Sequence, residues 1–127
     1  MPLGNYQQTV RRFMAALESS GDLTVLSEIC VPSVATEWQT NMGDFSFTDR
    51  TFNVDEMVSE GSKVAILWTI TGTHTGEFSG LPPTGKTTSN TGSAFFTFDE
   101  GKIADLVVHY DADSLHEQLG ATVKLAD

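Results

Sequence analysis

Residues 63–86 read KVAILWTITGTHTGEFSGLPPTGK, and the fold turns on how this stretch is taken. The apolar, β-branched run that opens it predicts a long strand from Lys63 to Phe78. Successive side chains of a strand point to opposite sides. One side then carries Val64, Ile66, Trp68, Ile70, Gly72, His74, Gly76 and Phe78, and the other Ala65, Leu67, Thr69, Thr71, Thr73 and Thr75. His74 shares the more apolar side. That places a lone imidazole on the wall of an expected cavity, with the Gly- and Pro-rich segment after it forming part of the mouth.

Strands continue on both sides of this stretch. TFNVDEMVS precedes it across the turn residues Glu60, Gly61 and Ser62, while TTSNTGSAFFTF and KIADLVVHYD follow, joined by Asp99-Glu100-Gly101. Short connections of this kind make an antiparallel, curved sheet the economical topology. Helices come before the strands. Tyr6, Val10, Phe13, Met14 and Leu17 recur at helical spacing between Asn5, placed as an N-cap, and Gly21. A second short helix is expected to start at the cap Asp22, bury Val25, Leu26 and Ile29, and stop before Pro32. The chain closes on SLHEQLG, where Ser114 and Glu117 have capping-box spacing, Leu115 and Leu119 share a face and Gly120 ends the turn. Residues 33–50 are ambiguous: SVATEWQ reads as a short strand and TNMGDFSFTDR as turn chemistry. The whole is an α+β class chain: a curved, mostly antiparallel sheet wrapped around N-terminal helices, in a single domain spanning residues 1–127.

Composition narrows the function. Seventeen acidic against seven basic residues give a formal charge of −10, which repels phosphate backbones and anionic lipid surfaces. Nucleic acid and membrane are therefore not expected as partners. No apolar run approaches the roughly 20 residues of a membrane span, and no cleavable signal pattern is evident, so a cytoplasmic, reducing setting is expected. The one cysteine, Cys30, lies between Ile29 and Val31 and reads as a small buried side chain rather than a reactive thiol. The TGK at 84–86 lacks the glycine spacing of a phosphate loop, and no serine or cysteine nucleophile sits in a recognisable elbow.

Strict alternation in the last strand puts Ile103, Asp105, Val107, His109 and Asp111 on one side. A row that begins apolar and ends in ionisable groups describes a pocket with a greasy floor and a polar wall, unless a bulge swaps the sides. Asp113 most simply caps the last helix, whereas Asp111 adds nothing evident to its start. Asp111, His74 and His109 are thus the candidate catalytic residues. Candidate wall residues are Trp68, Trp38, Phe13, Phe96 and Val107; for Glu37, in the ambiguous stretch 33–50, the sequence does not decide whether it lines a pocket.

GTHTGEFSGLPPTGK, FFTFDEGKIADLVVHYD and LHEQLG resemble, in order and spacing, the pattern of the SnoaL-like polyketide cyclase family over about residues 55–120. The resemblance implies the cone-shaped α+β barrel shared with nuclear transport factor 2 and ketosteroid isomerase, with an internal pocket. It implies cofactor-free acid/base chemistry, a homodimer, and an aspartate at the end of the last long strand as the acid/base, a place that Asp111 fills. His74 resembles a pocket-lining residue. The sequence departs from the family at Val107, where tryptophan is common, and at Glu37, where a histidine or another polar residue is common.

The chemistry implied is an aldol-type cyclisation, isomerisation or dehydration of a small hydrophobic carbonyl compound. A base removes a proton beside a carbonyl and an acid protonates the developing alkoxide; a carboxylate in an apolar cup does both in turn, since desolvation favours its protonated form. Two other readings compete. His74, His109 and Asp111 have residue types that suit a non-haem iron triad, although no metal is expected. A non-catalytic binding or dimerisation domain of the same fold would use Asp111 as a polar anchor. The threonines at 69, 71, 73, 75, 87 and 88 mark a plausible dimer surface on the open side of the sheet.

Overall fold

The computed structural model describes residues 3–43, 46–78 and 80–120. Three helical elements lead: α1 (Leu3–Leu17), a 3-10 turn (Leu23–Val25) running into α2 (Leu26–Ile29), and α3 (Pro32–Gly43). Four strands follow, β1 (Phe47–Glu60), β2 (Lys63–His74), β3 (Thr87–Asp99) and β4 (Lys102–Tyr110), and α4 (Ala112–Gln118) closes the described chain. The strands lie in the order β1-β2-β3-β4, each antiparallel to the next. This α+β arrangement of a curved sheet against helices is the one expected. The order follows from the connections. At the β3–β4 hairpin Glu100 and Gly101 both have positive φ (50° and 82°), as a two-residue turn matched to strand twist requires.

Hydrophobic burial assembles the helices on one face of the sheet. Phe13 and Val10 of α1, Leu26 of α2, Val64 of β2 and Phe96 of β3 are essentially inaccessible to solvent. Cys30 is buried as well, and desolvation pushes its thiol up to about 11, in keeping with an unreactive side chain. Arg50 ties α1 to β1: its Nε donates to Leu17 O at 3.1 Å and its guanidinium donates to Phe47 O at 2.7 Å. A cation at the C-terminal end of α1 also complements the helix dipole. Among the described residues no helix is long and apolar enough to cross a membrane.

Five expectations are corrected. Residues 33–50 begin not with a strand but with α3, in which Val34, Ala35 and Met42 are buried and Trp38 is half-buried. Pro32 does not merely stop α2; it opens α3, where its missing N–H costs nothing. Asp44 and Phe45 of that segment lie outside the described residues. At the other end, α1 begins at Leu3, so Asn5 is inside the helix, with its carbonyl accepting from Thr9 Oγ1 at 2.9 Å. Strand β2 stops at His74 because the N–H groups of Thr75 and Gly76 both turn to Ser46 O, at 3.0 and 2.9 Å. Finally, α4 is capped by Asp111, whose carboxylate accepts from Ser114 N at 3.0 Å; Ser114 is inside the helix and the expected capping box does not form.

One irregularity governs the site. Phe98 pairs with Ile103 but Thr97 pairs with Asp105, so Ala104 is an extra residue in β4. Ile103 is buried, and unbroken alternation would carry Asp105 under the helices after it. The bulge instead turns Leu106, Val108 and Tyr110 inward and leaves Asp105, Val107 and His109 on the outer face. Burying two aliphatic side chains in place of an unpaired carboxylate is the reason the strand adopts this register.

Candidate functional site

A cavity of about 460 Å³ lies between the inner face of the sheet and the helices. Helix α1 contributes Phe13, Met14 and Leu17 to it. From α3 come Glu37, Trp38, Asn41 and Met42, which helical spacing gathers on one stripe. The central strands supply Trp68 and Ile70 from β2 and Thr88, Asn90 and Phe96 from β3. Leu106, Val108 and Tyr110 complete the wall from β4, and Phe47, Phe52 and Phe78 stand around it. The rings pack edge to face: Phe13 meets Trp38 at 5.9 Å and Phe96 at 5.4 Å between centroids, and Phe52 meets Trp68 at 6.0 Å. This is an apolar pocket with a few polar groups, of a size that accepts a small organic molecule.

Four expected wall residues, Trp68, Trp38, Phe13 and Phe96, are brought together here. Val107 is not; it is about half exposed on the outer face. Gly92 explains how Trp68 fits. A Cβ at this position would overlap both His109 O and the Trp68 ring, so only glycine lets the indole lie against β3 beside β4. Gly92→Val is expected to lower stability by about 1–3 kcal/mol in urea denaturation, because the β4 carbonyl cannot yield and Trp68 must move.

Of the three candidate catalytic residues, His74 is separated from the other two. His109 and Asp111 lie beyond the Ala104 bulge on the outer side, where they border a shallow hollow with Asp55, Thr91 and Ser93. Asp111 is exposed and engaged as the α4 cap. The structure does not bring either group to the cavity, and His74, on the inner face, cannot join them in a metal triad. His74 is fully buried at the end of β2, stacked at a tilt on Phe47 with centroids 5.2 Å apart, and is not among the cavity-lining residues.

What His74 does is hold the loop that follows it. Its N–H donates to Lys86 O at 2.9 Å, its carbonyl accepts from Gly85 N at 2.9 Å, and its Nδ1 accepts from Thr84 N at 3.1 Å. With Nδ1 as acceptor, Nε2 carries the proton. The returning loop delivers Phe78 to the cavity wall, so the expected link between this segment and the cavity runs through Phe78. His74→Asn retains an acceptor near the Nδ1 position and is expected to keep the loop closed. His74→Gln places its polar atoms farther out and is expected to speed tryptic cleavage after Lys86.

Sequence reasoning missed Thr88, Asn90, Asn41 and Tyr110. Asn90 and Thr88 were readable from the row Thr88, Asn90, Gly92, Ala94 and Phe96 of β3, whose other members are small or apolar. Among the described residues Glu37 is the one carboxylate lining the cavity. Trp38 Nε1, Asn90 Oδ1 and His74 Nε2 are buried without a hydrogen-bond partner among the described residues.

A curved antiparallel sheet closed by helices over an apolar, sparsely polar cavity defines an α+β fold with an internal pocket. The chain belongs to the SnoaL-like polyketide cyclase family, whose model matches residues 39–119. Solved structures share the fold. TsrD from Streptomyces laurentii superposes with a TM-score of 0.79 at 24% identity, over 96% of this chain and 99% of that one. IdmH from Streptomyces antibioticus, a candidate polyketide cyclase, gives 0.75 at 26% identity over 91% and 98%. AclR from Streptomyces galilaeus, a candidate hydroxylase, gives 0.81 at 21% identity over 98% and 87%. No curated protein matches the chain by sequence.

Proposed function

We propose that the protein binds a small hydrophobic carbonyl compound in the cavity and moves a proton at the carbon beside the carbonyl, as an aldol-type cyclisation or a related isomerisation or dehydration requires. The observation that carries this reading is a single carboxylate, Glu37, at the exposed edge of an aromatic-walled cavity where the described residues offer no other acid. Glu37 takes the proton, and the amide of Asn90 and the indole N–H of Trp38 supply polar contacts for the oxygen atoms of the substrate. Nothing in these steps calls for a cofactor.

Hydrogen exchange tests it. A bicyclic ketone such as 2-tetralone, incubated with the protein in D₂O, is expected to gain deuterium beside the carbonyl faster than in protein-free buffer. A ketone that binds yet exchanges at the buffer rate supports the second reading, a binding domain of the same fold; the exposure of Glu37 at the cavity edge favours that reading. Binding itself is easily followed, since Trp38 and Trp68 are the only tryptophans of the chain and both line the cavity.

The same proposal includes a homodimer formed through the outer face of the sheet. Of the six threonines expected there, Thr88 instead points inward and is buried. Two of the others are satisfied by threonines of β1: Thr71 and Thr51 hydroxyls meet at 2.5 Å, and Thr75 donates to Thr48 at 3.1 Å. The apolar end of the face carries Val58, Leu67, Phe95 and Val107, each roughly half exposed or more, and is the better docking surface. Phe95→Glu is expected to convert the sedimenting species from dimer to monomer; a wild-type monomer at micromolar concentration overturns the idea.

A further inference from the structure

His74 stands at one end of a row of rings. Its imidazole lies 5.2 Å from the Phe47 ring between centroids, Phe47 meets Phe78 at 5.5 Å, and Phe78 meets the imidazole of His116 at 5.6 Å. Phe47 and Phe78 are part of the cavity wall, with Leu115 of α4 beside them. Residues 80–84 form a strap over this corner. Leu81 packs on the cluster of Phe47, Leu115 and Leu119 and exchanges two backbone hydrogen bonds with Phe78, at 3.0 and 2.8 Å. Pro82 and Pro83 have no N–H to offer, so the far end of the strap is fixed by Thr84. Its N–H donates to His74 Nδ1 at 3.1 Å, and its hydroxyl lies 3.0 Å from the same nitrogen. Gly80 and Gly85 bound the strap at φ +82° and +73°, backbone suited to a hinge.

The bond from Thr84 exists only while Nδ1 carries no proton. A second proton on the ring sets two donors against each other, and Thr84 Oγ1, the acceptor left for it, already accepts from Lys86 N at 3.2 Å. The other nitrogen gives no relief, since Nε2 is buried without a partner among the described residues. No counter-charge is at hand either. The charged or titratable groups on the surrounding elements are Asp49 and Arg50 of β1, Glu77 and Lys86 of the β2–β3 connection, and Asp113, His116 and Glu117 of α4; β3 brings threonines, Thr87 and Thr88. Among the described residues none of these carboxylates pairs with the ring. A buried, unpaired imidazolium is costly, yet Thr84 is exposed, so one residue separates Nδ1 from water. Moving Thr84 aside is the cheaper response. His116 lacks this sensitivity, because its Nδ1 donates to Ala112 O at 2.7 Å in either charge state.

We propose that His74 is a proton-sensitive latch: the neutral ring holds the strap of residues 80–84 closed, and taking up a second proton releases Thr84 and opens the cavity at its Phe47–Phe78–Leu115 corner. The closed form holds the neutral ring, so closure is complete above the range in which imidazole is protonated and is lost as pH falls through it. The latch does not depend on which chemistry the cavity performs.

Amide hydrogen exchange of the whole protein between about pH 8 and about pH 5, the span in which imidazole changes charge, tests it. Protection is taken relative to the intrinsic exchange rate at each pH. For the amides of Leu81 and Thr84 it is expected to fall on acidification by up to about tenfold per pH unit, the limit for release coupled to one proton, while the β2–β3 ladder stays protected. His74→Asn keeps an acceptor that takes up no proton, so its strap should hold constant protection; His116→Phe should behave as the wild type does. Nitrogen NMR of the wild-type imidazoles needs no variant to fold: the His74 ring must be protonated in step with the loss of protection. Stopped-flow quenching of tryptophan fluorescence by 2-acetylnaphthalene reads the gate, and entry should quicken by about the factor that protection falls. Strap protection that is constant with pH, falls equally in His74→Asn, follows another histidine or is lost together with the whole sheet overturns the latch. An entry rate that stays constant while the strap opens overturns the gate and leaves the cavity in place, whereas a probe that binds at no pH overturns the cavity reading itself.

Discussion

Glu37→Gln is expected to slow enzyme-dependent hydrogen exchange of a bound ketone by about 10²–10⁴-fold, the usual worth of a positioned general base. The substitution keeps the size of the side chain and removes only its ability to accept a full proton, so ligand affinity should change little. Asp111→Asn is the informative companion. Asparagine caps helices about as well as aspartate, so Ser114 keeps its partner and α4 its start. With its side chain outside the cavity, that variant should exchange ketone protons at the wild-type rate. The two variants together separate the assignments: loss of exchange in Asp111→Asn with retention in Glu37→Gln would return the proton carrier to the end of β4 and require the outer hollow, bordered by Asp111, to hold the substrate. Mass spectrometry of the recovered ketone at fixed times reads both.

The difference between those two carboxylates also shows what could be read from the chain and what could not. The inner row of β2 was legible because its bulkiest side chains, Val64, Ile66, Trp68 and Ile70, share one side and the run of threonines at 69, 71, 73 and 75 fixes the other, and it led to Trp68 on the cavity wall. The stripe of α1 was legible for the same reason at helical period, and it led to Phe13. In β4 the pattern I-A-D-L-V-V-H-Y is nearly uniform in hydrophobicity apart from Asp105, so it supports either phase. A single extra residue at Ala104 decides between them, and long-range packing under the helices selects the phase. Every candidate read from that strand by strict alternation after the bulge, Val107, His109 and Asp111, went to the wrong face in consequence.

Helix α3 was obscure for a different reason. Its sequence, PSVATEWQTNMG, carries Ser33, Thr36, Thr40 and Asn41, which favour other conformations locally, and its apolar positions 34, 35, 38 and 42 are too few to announce a period. Burial of Val34, Ala35 and Met42 against the core makes it helical all the same. Since α3 supplies Glu37, Trp38 and Asn41 together, the polar half of the site could not be assembled before that helix was known. His74 illustrates the opposite case: its inward direction was correctly expected, but its hydrogen bonds to the loop at Thr84, Gly85 and Lys86 are set by a chain reversal that sequence spacing does not reveal.

Phe13→Ala is expected to cost about 3–5 kcal/mol, the range for deleting a buried aromatic ring. Phe13 is 1% exposed and stands edge-on to both Trp38 and Phe96, so its removal takes a contact from each at once. Against a total stability of about 5–15 kcal/mol for a domain, the loss is a large share, and the urea midpoint should fall steeply. Phe13→Leu should recover much of it by refilling part of the volume. The position is more than a packing site, however, because one side of the ring faces the cavity. Ligand linkage then makes a second, sharper demand: a naphthalene that fills the cavity at about 100 times its dissociation constant adds about 2.7 kcal/mol to whichever state binds it. The ring vacated in Phe13→Ala enlarges the cavity, so a bulkier tricyclic ketone should restore the midpoint of the variant by more than it raises that of the wild type. A variant that loses less than about 1 kcal/mol, or that gains no more from the tricyclic than the wild type does, would mean that Phe13 is neither a core residue nor a wall of the site.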